Sequence, residues 1–262
     1  MKSDYTSCNH FRKVAPLHRK LIITDLEPIK YIAQQLRHLP TIKAADIGCG
    51  PGNYTRLLFQ YLREKVSFLY CIDYCAEMLE QLKLYFSKVG IQAFGTIRAS
   101  AMCLPAGDES LNCIFTFNAI HHFALSDFFQ ETGRVLSKGG YLFLYTRLRS
   151  QNSRSVWGRY FPLFTSKETR LYEEDELVSA IDKIPNFSLQ KTHTFKFKRQ
   201  SDVGDLIKRA KNFNYSTFDL YSHSEFRKTL EQFQCNLLNH FDDPHDIQWV
   251  DENILFILQT TG

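Results

Sequence analysis

A chain of 262 residues can bury one α/β core with appended helices and is too short for two full enzymes. Its residues, 44% hydrophobic and 23% charged, are those of a soluble globular protein, and the lack of any apolar run near roughly 20 residues excludes a membrane span. A formal net charge of +4 is compatible with an anionic substrate and does not establish nucleic-acid binding. The polar start Met1-Lys2-Ser3-Asp4-Tyr5 lacks the apolar stretch of a signal peptide, and the seven cysteines are scattered and odd in number. Reduced thiols and a cytoplasmic location are expected. Cys71 and Cys75 form the only close pair and lack histidine partners at zinc spacing, so no metal is expected.

In chain order, residues 1–40 read as an N-terminal helical segment over a ligand cleft. Within it, Thr24-Asp25-Leu26-Glu27-Pro28 signals a helix start, with a capping residue and a proline in the first turn. Residues 41–147 then alternate strand-like and helix-like patterns. Strands are predicted at 42–47, 66–72, 91–98, 111–118 and 140–146, and helices at 54–62, 76–87 and 126–136. That order specifies a doubly wound, Rossmann-like parallel sheet. Lys138-Gly139-Gly140 reads as the turn that ends the last helix of this core, its glycines supplying the C-cap.

Residues 148–262 read as substrate or lid insertions together with the last two strands. Arginines and aromatics fill the stretch to 170, and helices follow at 173–184, 202–213 and 224–238, with strands at 187–198 and 253–259. Pairing of those two strands at the edge predicts a seven-stranded, mostly parallel sheet with an antiparallel edge strand. The helices between them form an insertion that can close over a cleft as a lid and exclude water. Helices that merely cover a sheet edge are the plainer alternative.

The most informative stretch is Ala44-Ala45-Asp46-Ile47-Gly48-Cys49-Gly50-Pro51-Gly52-Asn53, an apolar strand ending in a carboxylate and then three closely spaced glycines. Glycines there permit positive φ and a close approach of ligand to main chain. Asp46 would repel the pyrophosphate of a dinucleotide and attract the cationic methionine end of S-adenosylmethionine. Asn53 also stands where the dinucleotide fingerprint needs its third glycine. Asp73, at the end of the second predicted strand, is placed to accept hydrogen bonds from both ribose hydroxyls.

These residues resemble class I S-adenosylmethionine-dependent methyltransferases, in particular those similar to the ubiquinone/menaquinone-biosynthesis enzymes. Residues 46–52 match the family's D-x-G-x-G-x-G motif, and Cys71-Ile72-Asp73-Tyr74-Cys75-Ala76-Glu77-Met78-Leu79 matches its second strand and helix. Ala99-Ser100-Ala101-Met102-Cys103-Leu104-Pro105 resembles the adenine-side segment. Phe117-Asn118-Ala119-Ile120-His121-His122-Phe123 resembles the end of the fourth strand, and residues 134–142 the approach to the fifth. The resemblance implies that Gly48 and Gly50 carry the backbone around the methionine portion, that Asp73 holds the ribose, and that Asp46, Cys49, Gly52, Tyr74 and Met78 also belong to the cofactor site. It further implies that Ser100, Ala101 and Met102 line the adenine and that Asn118 lies near the ammonium group. Ser100 stands where the family usually has an aspartate, and residues 15–19 lack the tyrosine and aspartate often found in relatives.

Methyl transfer from a sulfonium is an in-line displacement that chiefly needs alignment and, for some acceptors, removal of a proton. His121 and His122, just past the fourth strand, are the candidate bases, with shaping of the cofactor pocket as the alternative role. His18, Arg147, Trp157 and Arg159 are the candidate acceptor-binding residues, the arginines because their forks suit an anionic small molecule. An RNA methyltransferase, specifically one acting on tRNA, is the rival reading, suggested by Lys196, Lys198, Arg199, Lys208, Arg209 and Lys211 among phenylalanines. Alternation of Phe195 and Phe197 with those lysines argues against it, since a strand would turn the rings inward. A non-catalytic protein that binds the adenosyl cofactor is a third reading, and a dehydrogenase a fourth.

Overall fold

Seven runs rich in apolar residues form one sheet in the computed structural model, which describes residues 4–261, with side chains from residue 10 onward. The strands are β1 (Ile42–Ile47), β2 (Val66–Asp73), β3 (Phe94–Arg98), β4 (Leu111–Phe117), β5 (Leu136–Thr146), β6 (Phe187–Ser201) and β7 (Ile247–Thr260). Their order is β3-β2-β1-β4-β5-β7-β6. The first five pair in parallel, and β7 runs antiparallel to β5 from Tyr141 opposite Gln259 to Thr146 opposite Ile254. This is the Rossmann-like, mostly parallel sheet expected from the sequence.

Central strands read as nearly unbroken apolar runs because both of their faces are covered. Ala44, Ala45, Cys113, Ile114, Phe115, Leu142, Phe143 and Leu144 are all fully buried. The covering helices are α1 (Asp4–Leu21), α2 (Glu27–Gln35), α3 (Asn53–Leu62), α4 (Ala76–Val89), α5 (Leu125–Val135) and, beyond β5, α9 (Glu174–Ile181). No helix among the described residues is long and apolar enough to cross a membrane.

The chain divides into two compact units, the first comprising Met1–Thr146, Glu174–His193 and Ile254–Gly262, the second Arg147–Glu173 and Thr194–Asn253. Residues 174–193 and 254–262 group with the first unit because they carry α9 and the parts of β6 and β7 that complete its sheet.

The second unit folds around aromatic rings. Its helices are α6 (Arg149–Arg154), α7 (Val156–Tyr160), α8 (Phe164–Lys167), α10 (Val203–Lys211) and α11 (His223–His240). Trp157, only 3% exposed, stacks on Phe233 and meets Phe164 and Phe218 in this core. The carboxylate of Glu168 binds Arg170 and accepts a hydrogen bond from Thr217 at 2.6 Å. Along β6, Phe195 and Phe197 are buried while Lys196 and Lys198 are exposed, as strand alternation requires.

Two local expectations are corrected. Leu26, not Thr24 or Asp25, occupies the N-cap of α2 and makes no side-chain cap; the Asp25 N–H is instead 3.4 Å from the Tyr54 hydroxyl. Gly139 and Gly140 do not cap α5, which gives way directly to strand at Leu136. They lie within β5, where the register steps from Leu136 opposite Leu111 to Tyr141 opposite Cys113. The extra residues are absorbed by Gly139 at φ 70°.

Candidate cofactor site

The winding of the sheet reverses between β1 and β4, which pair directly although β2 and β3 intervene in sequence. Open α/β sheets bind ligands at such a switch point, beyond the carboxyl ends of the strands. Here the loops that leave those ends are the glycine turn after β1 and residues 118–123 after β4.

The three glycines of the turn all have positive φ, at 70°, 53° and 85° for Gly48, Gly50 and Gly52, but each is required for a different reason. A Cβ on Gly48 would lie 2.6 Å from the Ala119 Cβ, so this glycine lets the two loops touch. A Cβ on Gly52 would lie 2.9 Å from Phe86 and 3.0 Å from Leu82 of α4, so it lets α3 begin close against that helix. A Cβ on Gly50 would meet nothing within 4 Å. That glycine faces open space.

Two carboxylates flank this space. Asp73 at the end of β2 accepts the Gly50 N–H at 2.9 Å and the Cys75 N–H at 2.8 Å, one on each oxygen. Burial pushes the pKa of Asp73 up, against those backbone hydrogen bonds. Asp46, at the end of β1 and 1% exposed, accepts the Thr55 hydroxyl at 2.6 Å on one oxygen, while the other is buried without a hydrogen-bond partner. Burial pushes the pKa of Asp46 up to about 7, opposed by Thr55 and reinforced by Asp73. A buried carboxyl with an orphaned acceptor fits a cationic ligand group.

The other predicted cofactor residues take up defined positions in the first unit. Cys49 is a buried thiol whose pKa is raised by burial and by neighbouring Cys71. Met78 is buried in the first turn of α4. The Tyr74 carbonyl accepts the Arg98 Nε–H at 3.2 Å. The Ser100 hydroxyl accepts the Met102 N–H at 3.3 Å, bracing the turn that also contains Ala101. Asn118 takes φ 53°, a conformation asparagine tolerates, with its N–H on the Tyr145 carbonyl at 2.8 Å. Phe117 just before it stacks on Tyr54 with centroids 4.5 Å apart.

Helix α1 brings three further candidates together. Arg12 pairs with Glu77 of α4 at 2.6 Å, and the Arg19 guanidinium lies 4.0 Å over the Tyr85 ring. So anchored, Phe11 packs edge-on against both His18 (5.9 Å) and His122 (5.2 Å), and His122 lies 4.0 Å from His121. His18, His121 and His122 thus share one neighbourhood at the carboxyl edge of the sheet. Phe11 and Thr55 were not signalled by the sequence: one lies on an unpatterned helix, and the other is one of many threonines.

The Nδ1 of His18 is sealed and unpartnered although the residue as a whole is partly exposed. Burial, with His10 adding to it, lowers its pKa to about 4. Because the folded state disfavours the charged ring, the stability His18 contributes is present above its ordinary 6.5 and is lost as pH falls toward 4. Amide exchange in α1 is expected to accelerate over that interval in the native chain and to change much less in His18→Gln.

The acceptor candidates from the other unit fall in three different settings. Trp157, the acceptor-side aromatic candidate, is 3% exposed and belongs to the core of the second unit. Arg147 pairs with Asp251 at 3.2 Å, and the same carboxylate binds Arg199 at 3.2 Å. Arg159 is exposed and lines a pocket of about 270 Å³ within the second unit. Among the described residues, no group of three His, Cys, Asp or Glu side chains could hold a metal ion.

Residues 45–144 match the protein-family profile described as a methyltransferase domain. Over this segment the sequence is similar to a methyltransferase domain. A mouse protein named "Probable tRNA methyltransferase 9B" is 29% identical over 119 residues, which is 44% of this chain and 24% of the relative. The chain thus matches about a quarter of the length of such curated relatives. Among solved structures, a candidate methyltransferase from Bacillus halodurans superposes with a TM-score of 0.63 at 17% identity, covering 89% of this chain and 99% of that one. Geranyl diphosphate C-methyltransferase from Streptomyces coelicolor, solved with S-adenosyl-L-homocysteine, gives a TM-score of 0.53 at 14% identity over 88% of this chain and 76% of its own. At such identities the structural likeness speaks to the fold.

Proposed function

We propose that the chain is an S-adenosylmethionine-dependent methyltransferase acting on a small-molecule acceptor. The observation that carries the cofactor half is Asp46, a buried carboxylate whose unpartnered oxygen suits an ammonium group and repels a phosphate. Asp73 holds the ribose hydroxyls, the open face of Gly50 admits the methionine portion, Ser100 to Met102 line the adenine, and Asn118 closes the ammonium side. When bound, S-adenosylmethionine supplies a methyl group already activated on a sulfonium. The chain's own task is then to hold the acceptor in line and keep water out. In this reading His121 or His122 takes a proton from an acceptor hydroxyl, and the packing of Phe11 of α1 against His122 supports the shielding of that edge.

The tRNA reading rests on the name carried by the mammalian relatives, which match less than a third of their length. Against it stand the mild net charge and the inward phenylalanines of β6. A non-catalytic cofactor-binding role is set aside by turnover of any acceptor.

Calorimetric titration with S-adenosylhomocysteine, S-adenosylmethionine and NADH tests the cofactor half. Both adenosyl ligands are expected to bind saturably and NADH not at all. Asp73→Ala is expected to weaken binding at least about tenfold, the usual worth of hydrogen bonds to a carboxylate. Asp73→Asn, which keeps one acceptor for the Gly50 N–H, separates ribose recognition from collapse of the turn. NADH binding, or adenosyl binding untouched in both variants, would overturn the proposal. Labelled methyl transfer to small-molecule pools and to bulk tRNA then decides the acceptor class.

A further inference from the structure

The pocket in the second unit is lined by Arg159, an acceptor-binding candidate from the sequence, and by aromatic residues that have no part in the cofactor site. Tyr160, His240 and Phe241 pack together along it, with centroid separations of 4.8, 5.4 and 4.9 Å. Trp249 adds a fourth ring, and its indole N–H is sealed from solvent without a hydrogen-bond acceptor. Arg154 at the rim is neutralised by Glu252 at 2.6 Å. Arg159 makes no side-chain hydrogen bond or ion pair among the described residues.

We propose that this pocket is a binding site for a planar aromatic carboxylate. The aromatic wall, with the Trp249 ring as part of it, takes the flat ring, and the Arg159 fork takes the carboxylate. Charge selects a monoanion: Arg154 and Glu252 cancel, so the charged residues of the lining leave one net positive charge, on Arg159. Asp242, Asp243 and Asp246 follow Phe241 in the chain and disfavour a polyphosphate or a nucleic-acid strand. The volume of about 270 Å³ lies at the small end of ligand sites and suits one or two fused rings. This site goes beyond the methyl-transfer reading and does not depend on it.

Only two tryptophans are present, so the indole N–H resonance of Trp249 can be assigned by its loss in Trp249→Phe. Addition of 2-naphthoate to the full chain without cofactor is expected to shift that resonance saturably and to leave the Trp157 resonance in place. Its neutral isostere 2-naphthamide is expected to bind at least tenfold more weakly, a comparison that needs no variant. Arg159→Ala and Arg159→Gln are expected to lose the same tenfold, with unchanged thermal melting. Absence of a saturable shift, equal affinity for the amide, or full affinity in both Arg159 variants would overturn the proposal. So would a Trp249 shift produced by bulk tRNA or inorganic phosphate but not by 2-naphthoate. Because no cofactor is present, failure here is distinct from failure of the methyltransferase reading.

Discussion

Gly48→Ala is expected to lower the stability of the chain by about 3 kcal/mol, whereas Gly50→Ala is expected to leave stability within about 1 kcal/mol and to weaken cofactor binding instead. Both positions have positive φ, so both substitutions carry the same modest backbone cost. They differ in what the new methyl group meets. At Gly48 it would lie 2.6 Å from the Ala119 Cβ and 3.2 Å from the Phe123 ring, and neither neighbour can swing aside, since Ala119 has no rotatable side chain and Phe123 is buried. The loops after β1 and β4 would have to separate. At Gly50 the methyl enters open space, so the folded chain tolerates it and only a ligand in that space would clash. Thermal melting and calorimetry on the two variants should therefore give opposite patterns: a large fall in melting temperature for Gly48→Ala, and near-native melting with roughly tenfold to a hundredfold weaker adenosyl binding for Gly50→Ala. A native-like affinity in a well-folded Gly50→Ala would remove the ligand from that face of the turn.

The legibility of this site in the sequence has a physical origin. Three glycines at positive φ follow an apolar strand and its carboxylate at the end of β1, a local pattern whose spacing is legible without knowledge of the rest of the fold. What separates the three glycines is hidden, because Ala119, Phe86 and the empty space beside Gly50 belong to distant parts of the chain. The same distinction explains the misplaced details. Gly139 and Gly140 look like a helix stop, but whether a glycine pair ends a helix or bulges a strand depends on the partner strand, here β4. The arginine-rich and aromatic stretch after β5 looks like a cleft wall because α6, α7 and α8 are six, five and four residues long. Helices that short complete fewer than two turns, too few for an apolar face to repeat, so nothing local says that Trp157 points into a core and Arg159 outward. Phe195 and Phe197 were readable as inward because a long strand does repeat its pattern often enough.

Affinity for S-adenosylmethionine is expected to rise roughly thirtyfold between about pH 5.5 and about pH 8, and the rise is expected to disappear in Asp46→Asn. Burial in the first place, with Asp73 adding to it against the Thr55 hydrogen bond, holds the Asp46 pKa at about 7 in the chain without ligand. A carboxyl raised this far above its unfolded value adds stability that is fully present below pH 3.8 and is lost as pH rises through about 7. The ionised form is thus the strained one, kept at the carboxyl edge of β1 with one oxygen unmatched. A ligand ammonium beside that oxygen supplies the missing donor and a compensating charge, so binding favours ionisation and releases a proton wherever Asp46 starts protonated. Affinity then follows the ionised fraction upward and flattens above about pH 8. Calorimetry in buffers of different ionisation enthalpy reads the released proton directly. A proton release near zero at about pH 6, or a pH profile unchanged in Asp46→Asn, would show that the ammonium lies elsewhere and that the orphaned oxygen of Asp46 serves the fold alone.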